Sequence, residues 1–113
     1  MAIIPYGYQD ITQADIDAVV DVLQSDFLTQ GPCVPAFENA VANHCGVKHA
    51  LAVNSATSAL HIACLALGVG KGDLVWTSTI TFVASSNCAL YCGALIDFVD
   101  IDSRTYNMSV ESL

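Results

Sequence analysis

Five small or polar residues, Asn54-Ser55-Ala56-Thr57-Ser58, separate the apolar run Ala50-Leu51-Ala52-Val53 from a second apolar run over residues 59–67. A strand that ends in such a bend and passes into a helix leaves the first amides of the helix without acceptors, at the positive end of the helix dipole. That arrangement binds anions. The small side chains let a phosphate reach the backbone, and the hydroxyls of Ser55, Thr57 and Ser58 add donors. On the residues alone the plainer reading is preferred, in which Ser55 or Thr57 is an ordinary helix N-cap.

Other chemistries fit less well. A dinucleotide fingerprint needs glycines between strand and helix, and none lies between Gly46 and Gly68. Gly68-Val69-Gly70-Lys71-Gly72 follows a helical run and lacks the ending of a nucleotide-phosphate loop, so it reads as a helix-to-strand turn. His61-x-x-Cys64 and Cys88-x3-Cys92 lack the paired spacing of structural zinc sites, and no metal is expected. No Ser-His-Asp order or nucleophile elbow is present. Lys48 and Lys71 read as surface charges.

The elements that must position the bend follow from periodicity. Residues 3–7 read as extended, because Pro5 restricts its predecessor. Thr12 caps a helix with Asp15 three positions on, and Ile16, Val19, Val20 and Leu23 keep the helical period. Residues 25–35 form a loop. A second amphipathic helix carries Phe37, Val41 and Cys45 and stops at Gly46. From residue 50 the order is strand (50–53), helix (59–67), strand (74–77), helix (82–91) and strand (95–99), the pattern of parallel α/β architecture. The helix over 59–67 is apolar on nearly all sides and must be covered all round.

Composition bounds the rest. The chain has 113 residues, 54% of them hydrophobic and 12% charged, against roughly 25% charged in ordinary globular chains. A domain this small cannot hide that much apolar surface. A membrane span is not the reason, because residues 82–99 are broken by Ser85, Ser86, Asn87, Gly93 and Asp97, short of the ~18 uninterrupted apolar residues needed. The chain therefore reads as part of a larger fold. Its net charge of −8, with Lys48, Lys71 and Arg104 as the only cations besides histidine, excludes nucleic acid as a partner. No signal-like segment opens it, and Cys33, Cys45, Cys64, Cys88 and Cys92 read as free packing thiols in a reducing, cytoplasmic setting.

Several segments together resemble the DegT/DnrJ/EryC1/StrS sugar aminotransferases: Leu28-Thr29-Gln30-Gly31-Pro32, residues 52–61, Gly70-Lys71-Gly72-Asp73, Thr81-Phe82-Val83-Ala84 with Asn87, and Gly93-Ala94 leading to residues 98–102. Their order and spacing cover nearly the whole chain. The resemblance implies an incomplete large domain of the fold-type I, aspartate-aminotransferase-like α/β class. Residues 1–47 would supply two helices and a substrate-side loop, and residues 48–113 the start of the domain that binds pyridoxal 5'-phosphate. It implies that Ser55, Ala56 and Thr57 hold the cofactor phosphate and that Phe82 stacks on the pyridine ring. Seen without the family, Phe82 reads as a core aromatic. Tyr6, Asp26, Phe27, Leu28, Thr29 and Ala56 would line the nucleotide-sugar side.

Residues 25–32 and 54–61 are most similar to the branch that aminates C4 of a UDP-linked 4-keto-6-deoxy-N-acetylhexosamine on the route to pseudaminic acid, with glutamate as the usual donor and a homodimer as the working unit. The family's Schiff-base lysine is expected beyond Leu113, so the 113 residues alone are expected to be inactive and to contain no catalytic residue. Two other readings stay open: a dehydratase of the same family with histidine in place of that lysine, and a stand-alone module binding a phosphorylated ligand. Thr79 stands where the family commonly has proline, and Ile80 where it often has a polar residue.

Overall fold

The structure, a computed structural model, describes residues 7–113. The expected extended segment at residues 3–7 and the substrate-side Tyr6 therefore lie largely or wholly outside the described residues. The chain forms two compact units, Met1–Ala52 and Val53–Leu113.

The first unit holds two helices, α1 (Gln13–Gln24) and α2 (Cys33–Cys45). At the start of α1, the amide and the hydroxyl of Thr12 both donate to the Asp15 carboxylate, at 2.7 Å each. The backbone bond, and then the hydroxyl bond, hold the Asp15 carboxyl below its ordinary range. A carboxyl whose folded pKa is depressed stabilises the fold above its unfolded value and loses that contribution as pH falls through the lower folded value. An NMR titration of the full-length protein should therefore place the Asp15 midpoint below that of a free aspartate, about pH 4. The Thr12 amide shift should follow the same midpoint and lose it in Asp15→Asn; a midpoint at the ordinary value would remove the cap.

α2 starts earlier than the sequence suggested, at Cys33 rather than after Pro35. Pro35 sits in the first turn, where a missing N–H leaves no helical bond unmade. At the other end Gly46 takes a left-handed φ of 65°, and the Val47 amide closes back on the Ala42 carbonyl at 2.9 Å. Here the expected C-cap is found. The apolar side of α1 is open: Ile16, Val19, Val20 and Leu23 are all exposed. An aliphatic groove of about 320 Å³ runs along it, lined by Ile11, Asp15, Ile16, Val19 and Val20. It has the composition of an uncovered packing face, without the convergent polar groups of a ligand site.

Residues 50–53 do not form the expected strand. A strand is defined by a hydrogen-bonded neighbour, and no described segment supplies one. The Ala52 amide instead donates to the Glu38 carboxylate at 2.8 Å, which satisfies a donor that a sheet would otherwise have taken.

The second unit contains α3 (Ala56–Ala66), β1 (Leu74–Ser78), α4 (Ala84–Tyr91) and β2 (Leu95–Val99). β1 and β2 pair in parallel with Leu74 opposite Leu95 and Ser78 opposite Val99, as strand-helix-strand order requires. α4 packs on both strands and on α3, and its small residues Ala84, Ser86, Cys88 and Ala89 form the buried centre with Ala94 and Val99. In the turn between α3 and β1, the Gly70 amide is occupied by the Asp73 carboxylate at 2.8 Å. A carboxylate already fills the place a phosphate would need, so the turn reading holds. After β2, Asp102 accepts the Arg104 and Thr105 amides, both at 2.9 Å, in a bend closed by the antiparallel bridge Ile101–Met108.

α3 was expected to be covered on all sides, yet none of its residues is buried. Trp76 on β1 is 51% exposed, and Leu74, Leu95 and Phe98 are open as well. A parallel sheet is ordinarily buried on both faces, so these surfaces call for cover that residues 7–113 do not supply. The cysteines divide in the same way: Cys88 is buried, Cys64 and Cys92 are half-buried, and Cys33 and Cys45 are exposed rather than packed. No helix among the described residues is long and apolar enough to cross a membrane.

Candidate cofactor-phosphate site

The bend at residues 54–58 is built by its own side chains. Ser55 is extended (φ −160°, ψ 156°) and is the N-cap of α3. Its hydroxyl oxygen accepts the Ser58 amide at 3.1 Å, and its carbonyl accepts the Ala59 amide at 3.0 Å. The Ser58 hydroxyl donates to Asn54 Oδ1 at 2.9 Å and lies 2.9 Å from the Ser55 hydroxyl. With its one proton given to Asn54, Ser58 can only accept from Ser55, so the three side chains form a directed relay. Ser55 thus spends its hydroxyl proton inside the bend. This differs from the sequence expectation that Ser55 and Ser58 both offer free hydroxyl donors.

Two donors remain. The amides of Ala56 and Thr57, the first two residues of α3, have no acceptor among the described residues. They stand at the positive end of an eleven-residue helix, and residues 54–58 contain no acidic side chain. Two free amides and a Thr57 hydroxyl, with no competing negative charge, make a donor set that fits a phosphate.

Phe82 directly precedes the N-cap of α4. Its carbonyl accepts the Ser85 amide at 2.9 Å, and the hydroxyls of its neighbours Thr81 and Ser85 lie 2.8 Å apart. The backbone is held while the ring stays 73% exposed, unlike the core aromatic that the sequence alone favoured. Thr79, where the family pattern has proline, donates its amide to the Val99 carbonyl at 3.2 Å and so lengthens the β1–β2 ladder by one bond. Proline has no such proton; the departure from the pattern was the signal for this bond. The Glu38–Ala52 bond had no signal in the sequence.

Asp26, Phe27, Leu28 and Thr29 lie in the first unit, between α1 and α2. The Phe27 amide is within 3.3 Å of the Ser25 hydroxyl, and Phe27 and Leu28 are exposed. Gln30 takes a positive φ of 55°, and a Cβ on Gly31 would come within 2.9 Å of Phe27 Cβ. The loop therefore needs glycine at 31 to keep Phe27 where it is. Among the described residues no group of three or more His, Cys, Asp or Glu side chains is placed to hold a metal ion.

A parallel α/β unit whose helix start offers unpaired amides after a small-residue bend has the donor geometry of an anion-binding helix start. Comparison with known proteins supplies the particular family. The sequence profile of the DegT/DnrJ/EryC1/StrS aminotransferase family matches residues 9–113, and the chain belongs to that family. It is 49% identical over 98 residues, 87% of this chain, to UDP-4-amino-4,6-dideoxy-N-acetyl-beta-L-altrosamine transaminase of Campylobacter jejuni, of which it covers 26%. It is 42% identical over 98 residues, 86% of this chain, to GDP-perosamine synthase of Caulobacter vibrioides, again covering 26%. Among solved structures, Streptococcus pneumoniae Spr1654 in its PMP form superposes with a TM-score of 0.90 at 35% identity over 96% of this chain and 28% of that one. The same protein has also been solved in its PLP form. The chain thus spans about a quarter of the length of the relatives it matches. The family is one of pyridoxal-phosphate-dependent aminotransferases, and its relatives include proteins named as nucleotide-sugar transaminases.

Proposed function

We propose that these residues form part of a pyridoxal-phosphate-dependent nucleotide-sugar aminotransferase that aminates C4 of a UDP-linked 4-keto-6-deoxy-N-acetylhexosamine, with glutamate as donor. The observation that carries the reading is the pair of unpaired amides at Ala56 and Thr57. Those amides, with the Thr57 hydroxyl, hold the cofactor phosphate, and Ser55 holds the bend in shape through Ser58 and Asn54. The Phe82 ring stacks on the cofactor ring. Asp26, Phe27, Leu28, Thr29 and Tyr6 serve the nucleotide-sugar side, with Ala56 at the junction of the two ligands.

When bound, the cofactor supplies the electron sink for moving an amino group, and the protein supplies position and electrostatics. No residue of this segment moves the reacting proton; that role falls to a lysine outside it. The working protein is a cytoplasmic homodimer on this reading. The match to the Campylobacter jejuni transaminase supports the UDP sugar over other substrates.

The test is cofactor binding and amino transfer by the full-length protein. It should bind pyridoxal phosphate far more tightly than unphosphorylated pyridoxal, and convert the UDP-4-keto sugar to its 4-amino product with glutamate. Equal affinity for the two pyridoxals would remove the phosphate grip. Binding without turnover of the UDP sugar would leave the grip and remove the substrate assignment.

A further inference from the structure

The side chains of the phosphate bend are joined by two hydrogen bonds whose direction the shape of the bend does not fix. The Ser58 hydroxyl donates to Asn54 Oδ1 at 2.9 Å, and the Ser55 and Ser58 hydroxyls lie 2.9 Å apart. Asn54 ends this chain of contacts, and a carboxamide can either accept or donate at its end. With Oδ1 toward Ser58, both hydroxyl protons are held inside the bend. With Nδ2 toward Ser58, the same contacts run the other way: Nδ2 donates to Ser58, Ser58 donates to Ser55, and the Ser55 proton is released. The two states differ by a half-turn of a planar carboxamide about a broad, roughly two-fold torsion, and by rotation of two hydroxyls. No covalent bond breaks. Ser55 Oγ accepts the Ser58 amide, at 3.1 Å in the structure, in either state, so the cap of α3 is kept.

We propose that Asn54 is a polarity switch for the cofactor phosphate, an inference that rests on the phosphate site argued above. Arrival of the anion turns the Asn54 carboxamide, reverses the relay and presents the Ser55 hydroxyl proton to the phosphate. The released proton stands at the N-cap of α3, beside the free amides of Ala56 and Thr57, the first two residues of the helix. An anion held by those amides attracts it, and residues 54–58 contain no charged side chain to answer the phosphate instead. A ligand without the anion exerts no such pull, and the relay stays turned inward. Asn54 acts through Ser58 and Ser55 and is therefore a positioning residue. Its ability to both accept and donate is what the device needs. Aspartate, ionised at neutral pH, only accepts and would lock the relay inward. Alanine would leave Ser58 free to donate to Ser55, and so would leave the relay turned outward.

The test is a double-mutant cycle, read by titrating cofactor-free full-length protein with pyridoxal phosphate and with pyridoxal. Ser55→Gly keeps an acceptable helix cap. It should weaken pyridoxal phosphate binding about 10-fold, the effect of one hydrogen bond to an anion. In an Asn54→Asp background the same change should weaken binding by less than about twofold, because the locked proton never reached the phosphate. The new carboxylate also repels the phosphate directly, but it does so with and without Ser55, and the cycle cancels that effect. In an Asn54→Ala background, where no charge is added, the loss should return to about 10-fold. Pyridoxal affinity should stay within about twofold throughout, which a general loosening of the bend would not allow. Equal losses from Ser55→Gly in the wild-type and Asn54→Asp backgrounds would overturn the switch. So would a negligible loss in the wild-type or the Asn54→Ala background. Wild-type protein that bound both pyridoxals equally would remove the phosphate site and the switch together, whereas a failed cycle in a protein that prefers the phosphate removes the switch alone.

Discussion

Ala56→Pro in the full-length protein is expected to weaken pyridoxal phosphate binding about 10- to 100-fold, while leaving the affinity for unphosphorylated pyridoxal within about twofold. The magnitude is that of one hydrogen bond to a charged acceptor, about 1.5–3 kcal/mol. The substitution is suited to the site. Ala56 is the first residue of α3, the helical position at which proline is best tolerated. The preceding residue, Ser55, is already extended, with ψ at 156°, as a residue before proline must be. The helix should therefore survive with one amide proton removed. Ala56→Ser keeps that proton and should bind as the wild type does. If proline weakened both pyridoxals alike, the loss would be one of folding and not of the phosphate grip.

Phe82→Ala should produce the complementary pattern, with both pyridoxal phosphate and pyridoxal bound about 3- to 10-fold more weakly, because stacking acts on the ring and ignores the phosphate. An offset aromatic stack contributes about 0.5–1.5 kcal/mol. Phe82→Tyr should restore most of the affinity. The ring is 73% exposed, so the cofactor-free protein should change in stability by no more than about 0.5 kcal/mol. A loss of about 3–5 kcal/mol in the cofactor-free protein would instead mark Phe82 as a core residue and end its assignment to the cofactor. Measured together by cofactor titration, the two variants separate phosphate anchoring from ring binding.

Elements set by local physics are legible in the sequence. Strand β2 falls at residues 95–99 as expected, because a short apolar run between a glycine turn and Asp100 has few other options. Gly46 and the Ser55 cap were legible for the same reason: each is set by one residue and its immediate neighbours. Residues 50–53 were not, because their apolar pattern describes a strand only when a partner lies alongside, and the partner is not a property of the segment. The three-residue-early start of α2 was not legible, because Pro35 suits the end of a loop as well as the first turn of a helix, which tolerates it. At the site, the small polar run at 54–58 pointed to the bend, but the division of labour inside it did not show. That Asn54 takes the Ser58 proton and so commits the Ser55 hydroxyl is a matter of geometry. By composition the three hydroxyls of Ser55, Thr57 and Ser58 are equivalent.

The half-open indole of Trp76 has a practical use. It is the only tryptophan in the 113 residues and lies at the centre of β1, on a strand whose neighbouring apolar side chains are also bare. Indole emits at shorter wavelength as its surroundings lose water, so whatever chain comes to cover that strand announces itself as a blue shift in fluorescence. Burial of this strand by the rest of its fold should thus be readable, with no label attached, as a blue shift in the emission of Trp76.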